Sequence, residues 1–247
     1  MGKKIISWIS FRIYRLNLHF DLTLVSRWKW RKYFARNARI LEIGPGGGPW
    51  TLELLKKGNT VTAVDVEMSS LLRLKRKMEV FPLKNKRVYL INSHAKNFSS
   101  REEYDQIIVF EVLEHIMEDE GALENLVRHL APGGELLLST PSRDHIPIAG
   151  EIVSPREDGR HVRKGYSFED FAEMLSKLGM EIIRKNTVSG WFTRRLTSLN
   201  NAVYRLTRSR VLFFFTRIVF RPLARLDFIL PWYKPYCVFV IAARKDE

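Results

Sequence analysis

Residues 40–50, ILEIGPGGGPW, constrain this chain more than any other stretch. The apolar run Arg39–Ile43 reads as a short strand, and four glycines and two prolines follow at once. A helical pattern opens at Trp50. In a parallel α/β sheet, a glycine-rich turn between strand and helix is where backbone comes close to a ligand. The spacing excludes two familiar ligand classes. A dinucleotide loop needs Gly-x-Gly-x-x-Gly. Here Gly44 and Gly46 lead to Pro49, and Gly46 and Gly48 lead to Thr51. A phosphate-cradling P-loop needs Gly-Lys-Ser/Thr, which does not follow. What stands is Glu42-x-Gly44-x-Gly46-x-Gly48.

The chain around this loop alternates strand and helix. Strands are expected at Thr60–Asp65, Val88–Ile91, Asp105–Phe110, Glu135–Ser139, Met180–Thr187 and Tyr236–Ala243. Helices are expected at Trp50–Lys57, Ser69–Met78, within 119–130 and at Ser167–Leu178. The last opens on a cap, Ser167 with Asp170 three residues on. This alternation implies a mostly parallel sheet. With 247 residues there is length for one α/β domain with a sizeable core. The single cysteine, Cys237, falls inside the last strand and is expected to be buried core. Without a second cysteine there is no internal disulfide, which favours a reducing, cytoplasmic setting.

The formal net charge of +14 is unevenly spread. Residues 1–40 carry ten Lys/Arg and one acid, Asp21, while 41–189 are close to neutral. Residues 5–20 read as an amphipathic helix with Ile6, Ile9, Ile13, Leu16 and Phe20 on one stripe. Arg12 and Arg15 interrupt it and no small-residue cleavage site follows, so a signal peptide is not expected. A second helix is expected over about 22–36. Residues 189–235 break the strand–helix rhythm. From Ile182 to Leu226 there is no acid, and after Lys185 every charge in that span is Arg. Aromatics are dense beside them, including Phe213, Phe214 and Phe215. So long a connection is expected to be helical. The domain reading is therefore N-terminal basic helices at 1–38, a core of 39–188 and 236–247, and an Arg/aromatic insert at 189–235.

Three further motifs lie in order along the expected sheet. VTAVDVE, 61–67, ends a strand at Asp65, where a carboxylate can accept both hydroxyls of a ribose. YDQIIVFEVLEHI, 104–116, and LAPGGELLLSTPS, 130–142, follow. With the glycine loop, these make the sequence resemble the class I S-adenosylmethionine-dependent methyltransferases, close to the ubiquinone-biosynthesis group. The resemblance covers about two-thirds of the chain. It implies a Rossmann-like seven-stranded sheet with helices on both faces. It also implies S-adenosylmethionine held by Glu42, Gly44, Pro45, Gly46, Gly48, Asp65, Val66, His94, Ala95, Phe110, Glu111 and Val112. His94 stands where relatives often carry an acid against the adenine amine; a neutral ring could accept there.

The acceptor is less legible. No Asn/Asp-Pro-Pro-Tyr/Phe follows the fourth strand, so DNA is not expected. His161 and His145 fall in the 140–166 loop that should roof the site, and either can deprotonate a hydroxyl near neutral pH. Glu111, Glu114 and His115 spell a motif with which some relatives hold a divalent metal, and His161 could add a ligand. The expectation here is a structural role for Glu114 and His115, with no resident metal. The insert separates two functions. Docked on an anionic membrane, it points to a small or lipid-linked acceptor, with the enzyme peripheral on the inner face of the membrane. Gripping RNA, it points to a 2′-O-methyltransferase. A cofactor-binding scaffold without activity and packing on a sheet edge or second subunit are the remaining readings; the oligomeric state is open.

Overall fold

The computed structural model describes residues 27–81, 87–145, 153–188, 190–228 and 235–245. The helix expected at 5–20 lies outside them. Of the second helix, the described part is a 3-10 turn, Trp28–Tyr33. Seven strands form one sheet: β1 Arg39–Ile43, β2 Thr60–Asp65, β3 Arg87–Asn92, β4 Tyr104–Phe110, β5 Leu130–Pro141, β6 Met180–Val188 and β7 Cys237–Arg244. Their order is β3-β2-β1-β4-β5-β7-β6. The pairs β1–β2, β2–β3, β1–β4 and β4–β5 are parallel. The helices are α1 Pro49–Lys56, α2 Met68–Val80, α3 Asp119–Val127, α4 Phe168–Lys177, α5 Trp191–Thr207 and α6 Arg210–Ala224.

Beginning at β1, the chain runs outward to β3, then returns to place β4 on the other side of β1. Loops leaving neighbouring strands there diverge to opposite faces, so a crevice opens at the carboxyl ends of β1 and β4. The glycine loop leaves β1 at that point and Glu111 leaves β4. β1 and β4 are buried along almost their whole length, as strands covered on both faces are. The core around them gathers Leu41, Val64, Ile107, Val109, Leu123, Leu136 and Phe171. Cys237 is buried. β5 is longer than expected, because the Ala131–Gly134 stretch continues the strand through a register shift between Tyr104 and Gln106 on its neighbour. α4 has the full capping box: the Ser167 hydroxyl accepts from Asp170 N, and the Asp170 carboxylate accepts from Ser167 N.

The chain divides into two compact units. The larger takes Arg31–Arg143, Glu151–Asn186 and Val238–Glu247; the smaller includes Asp144–Gly150 and Thr187–Cys237. In the smaller unit the insert is helical, as expected, with α5 and α6 packed as a hairpin. The carboxylate of Asp227 accepts from Phe192 N at 2.9 Å and Thr193 N at 2.8 Å, capping the start of α5 from beyond the end of α6. Thr216 donates to the buried Asn200 across the hairpin.

In the larger unit two buried amides hold the segment entering β1. Gln106 on β4 donates to Tyr33 O and accepts from Ala35 N. Asn59 donates to Ala35 O and accepts from Ala38 N. Gln106→Leu fills the same space but strands Ala35 N and Tyr33 O. Unfolding in denaturant is expected to lose about 2–3 kcal/mol with the slope unchanged.

Candidate active site

At the end of β1 the chain turns through left-handed backbone, which glycine adopts without strain. Gly44 has φ 65°, and its amide donates to Val64 O at 2.8 Å. A Cβ on Gly44 would fall 2.4 Å from Cγ2 of Val112, in the turn after β4. Gly48, with φ 72°, opens α1, and a Cβ there would fall 2.3 Å from Leu74. The loop is thus pressed against the β4 turn at Gly44 and against α2 at Gly48, with no room for a side chain at those two positions. Beneath it, Glu42 is buried and accepts from the Thr51 hydroxyl at 2.6 Å. Its other oxygen has no partner among the described residues. Burial pushes the Glu42 carboxyl up to about 7, with a smaller push from Asp65.

Asp65 ends β2, half-buried. Its carboxylate accepts from Glu67 N at 2.9 Å and, at 3.4 Å, from Gly46 N. These bonds aim the carboxylate across the mouth of the crevice. The cleft there has a volume of about 460 Å³, in the range of small-molecule sites. Gly44, Asp65, Val66, His94, Ala95, Glu111 and Val112 line it. Glu42, Pro45, Gly46 and Gly48 do not; they shape the loop from behind. Phe110 also departs from the expected contact. It is buried in an aromatic group with Trp50 at 5.6 Å, Phe239 at 5.9 Å and Phe34 at 6.2 Å, so it backs the cleft. The next residue, Glu111, takes φ 57°, a strained value for a side-chain-bearing residue. Ser139 holds it there: Glu111 N donates to Ser139 O, and the Ser139 hydroxyl donates to the Glu111 carboxylate.

The opposite wall was not legible as individual residues. Glu157, Asp158 and Gly159 line the cleft from the loop expected to roof it. Glu157 accepts from Met117 N at 2.5 Å and pairs with Nε2 of His94 at 3.1 Å. The other nitrogen of His94, Nδ1, accepts from Lys96 N. That bond requires the neutral tautomer with its proton on Nε2. His94 therefore caps a turn and clasps the roof loop, and both its nitrogens are engaged. The Glu157 carboxylate stands beside it on the cleft wall.

His161 is half-buried, its ring edge-on to His115 with centroids 4.7 Å apart. Glu114, His115 and His161 each present a ligand atom within 4.8 Å of the others. His115 lines the cleft and directs Nδ1 to Arg160 O at 3.0 Å, which turns Nε2 toward the group. Burial lowers the His115 pKa and so favours the neutral ring. His145 belongs to the smaller unit, is buried, and lies edge-on to Tyr236 at 5.2 Å; it is not among the cleft-lining residues.

The raised Glu42 carboxyl makes stability depend on pH. Between about pH 4.5 and 7 the folded chain keeps a proton that the unfolded chain has lost, so this group's contribution falls as pH rises. Over that window the loss is about 3 kcal/mol. Glu42→Gln, which cannot titrate, is expected to abolish that part of the slope in denaturant unfolding measured from pH 4.5 to 8.

A family model described as "Methyltransferase domain" matches residues 19–185. The ubiquinone biosynthesis O-methyltransferase of Xanthomonas oryzae is 29% identical over 182 residues, 68% of this chain and 74% of that protein. The mitochondrial protein of that name from Schizosaccharomyces pombe is 32% identical over 105 residues, 42% of this chain but only 38% of its own. Among solved structures, the glycopeptide N-methyltransferase MtfA complexed with S-adenosylmethionine superposes with a TM-score of 0.57 at 13% identity, covering 92% of this chain and 88% of that one. At that identity the likeness speaks for the fold alone. The chain belongs to the methyltransferase-domain family, among the class I S-adenosylmethionine-dependent enzymes.

Proposed function

We propose that this methyltransferase moves the methyl group of S-adenosylmethionine to a hydroxyl of a small or lipid-linked acceptor presented at a membrane surface. The observation that carries the cofactor half is the cleft at the β1/β4 crevice, with Asp65 on one wall and the Gly44 backbone at its floor. A carboxylate at the end of β2 accepts from vicinal hydroxyls, and bare backbone at Gly44 admits the chain that bears the sulfonium. Reaction is in-line attack on that methyl: an O–C bond forms as the S–C bond breaks, and the hydroxyl loses its proton. The protein's contribution is mainly positioning. His161, next to the cleft-lining His115, is assigned as the group that takes the proton. His145 has no place in this assignment. The acceptor class draws its support from the relatives' name, which is that of an O-methyltransferase of ubiquinone biosynthesis.

One observation favours a second reading, metal-assisted methylation of an RNA 2′-hydroxyl. Glu114, His115 and His161 form a mixed carboxylate–imidazole set. His115 also carries the backbone bond on Nδ1 that orients ligating histidines. A divalent cation held there would supply Lewis acidity to an acceptor hydroxyl.

Calorimetry is expected to show binding of S-adenosylmethionine and its demethylated product, and none of NADH. Asp65→Ala should weaken that binding by about 1–3 kcal/mol, roughly 5- to 150-fold. With labelled cofactor, label should enter the lipid fraction of cell material rather than RNA, polysaccharide or protein. Chelator should leave this turnover unchanged; loss with EDTA and recovery with Mg²⁺ or Mn²⁺, with label in RNA, would establish the second reading.

A further inference from the structure

We infer that the outward face of α6 is a docking surface that lays this helix flat in the headgroup region of an anionic phospholipid bilayer. The inference extends the proposed function by naming the surface that meets the membrane. Among the side chains described on α6, every exposed one is apolar: Val211, Leu212, Phe215, Val219, Pro222 and Leu223. The large ones are 42–67% exposed. Their spacing of three and four residues sets them along one side of the helix. The opposite side faces the hairpin, and Ala224 there is buried. A surface helix that folding alone had shaped would turn its apolar stripe inward and its charges outward. On α6 the arginines Arg217 and Arg221 are half-buried instead, and Arg217 lies over the Phe213 ring at 4.5 Å. The exposed stripe is too long and continuous for scattered surface hydrophobes.

Charge names the occupant. Exposed arginines stand at both ends of the stripe: Arg205 and Arg208 at the hairpin turn, beside Leu206 at 85% exposure, and Arg225 past the other end. The only acid near them in sequence, Asp227, has both oxygens engaged in the α5 cap. The surface therefore offers an apolar strip bracketed by guanidinium groups that have no ion pair among the described residues, which matches acyl chains bordered by phosphates. A second copy of the chain would set arginine against arginine. RNA would satisfy the arginines but leave the strip bare, since only Phe215 in it can stack on a base. α6 has 15 residues, a length of about 22 Å, against a hydrocarbon core of about 30 Å. No helix among the described residues is long and apolar enough to cross a membrane, so the fit is in the plane of the interface.

The test is co-sedimentation of the full chain with vesicles of phosphatidylcholine containing phosphatidylglycerol, compared with phosphatidylcholine alone. Binding is expected to the anionic vesicles. Added salt should weaken it without abolishing it, because the apolar strip is not screened. The triple variant V211S/F215S/V219S should bind roughly a hundredfold less well. Its binding of S-adenosylhomocysteine and its circular dichroism should match the wild type, which separates this proposal from failure of the cofactor site or of folding. If the triple variant misfolds, Phe215→Trp substitutes for it, and quenching by brominated acyl chains beyond the wild-type level is the expected result. No binding to anionic vesicles overturns the inference, as does binding that the variants leave untouched. So does self-association that the serines abolish without any vesicle binding, or retention of structured RNA with a steep salt dependence.

Discussion

Everything at this site hangs on one close approach, that of the Gly44 backbone to Val112. A turn leaving β1 and a turn leaving β4 diverge by topology; here they are also brought together until no Cβ fits between them. The cleft is what remains on the outer side of that contact, and Asp65 and Glu111 face it because β2 and β4 end in register with β1. Any side chain at position 44 has to move Val112 and adopt a left-handed backbone, and both costs fall on the cleft floor. A stiff, β-branched neighbour such as valine yields poorly.

The same packing explains why charge is handled differently on the two sides of the loop. Above it, Asp65 is half-exposed and accepts from amides. Beneath it, Glu42 is sealed in with Thr51 as its donor and gives up its ordinary acidity. Burial thus separates the two acids within reach of one loop, Asp65 and Glu42. A positive group bound in the cleft would draw on the first directly.

Much of this was legible because it is local. The glycine spacing, the aspartate closing β2, the Ser167–Asp170 cap and the helical insert each depend on residues a few positions apart. The structure follows them to within a residue or two. What escaped depends on pairings across long stretches of chain. His94 meets Glu157, 63 residues away, and Gln106 meets Tyr33, 73 residues away. Nothing in either neighbourhood announces its partner. Phe110 sits at the expected position of its motif. Its side chain was assigned to the cleft because the motif is silent about Trp50 and Phe34, which claim it for the core. β5 overran its expected start because Ala-Pro-Gly-Gly reads as a turn locally, whereas its ladder with β4 extends it.

Asp227 has a consequence beyond the cap it makes. Its carboxylate joins the first turn of α5 to the segment just after α6, so the two ends of the hairpin are held together by the hairpin's own atoms. An insertion closed on itself in this way fixes its own footprint. The helices between the ends can lengthen, exchange faces or be replaced while the points of attachment keep their spacing. The surface this hairpin displays can therefore be rebuilt without disturbing the sheet that carries it.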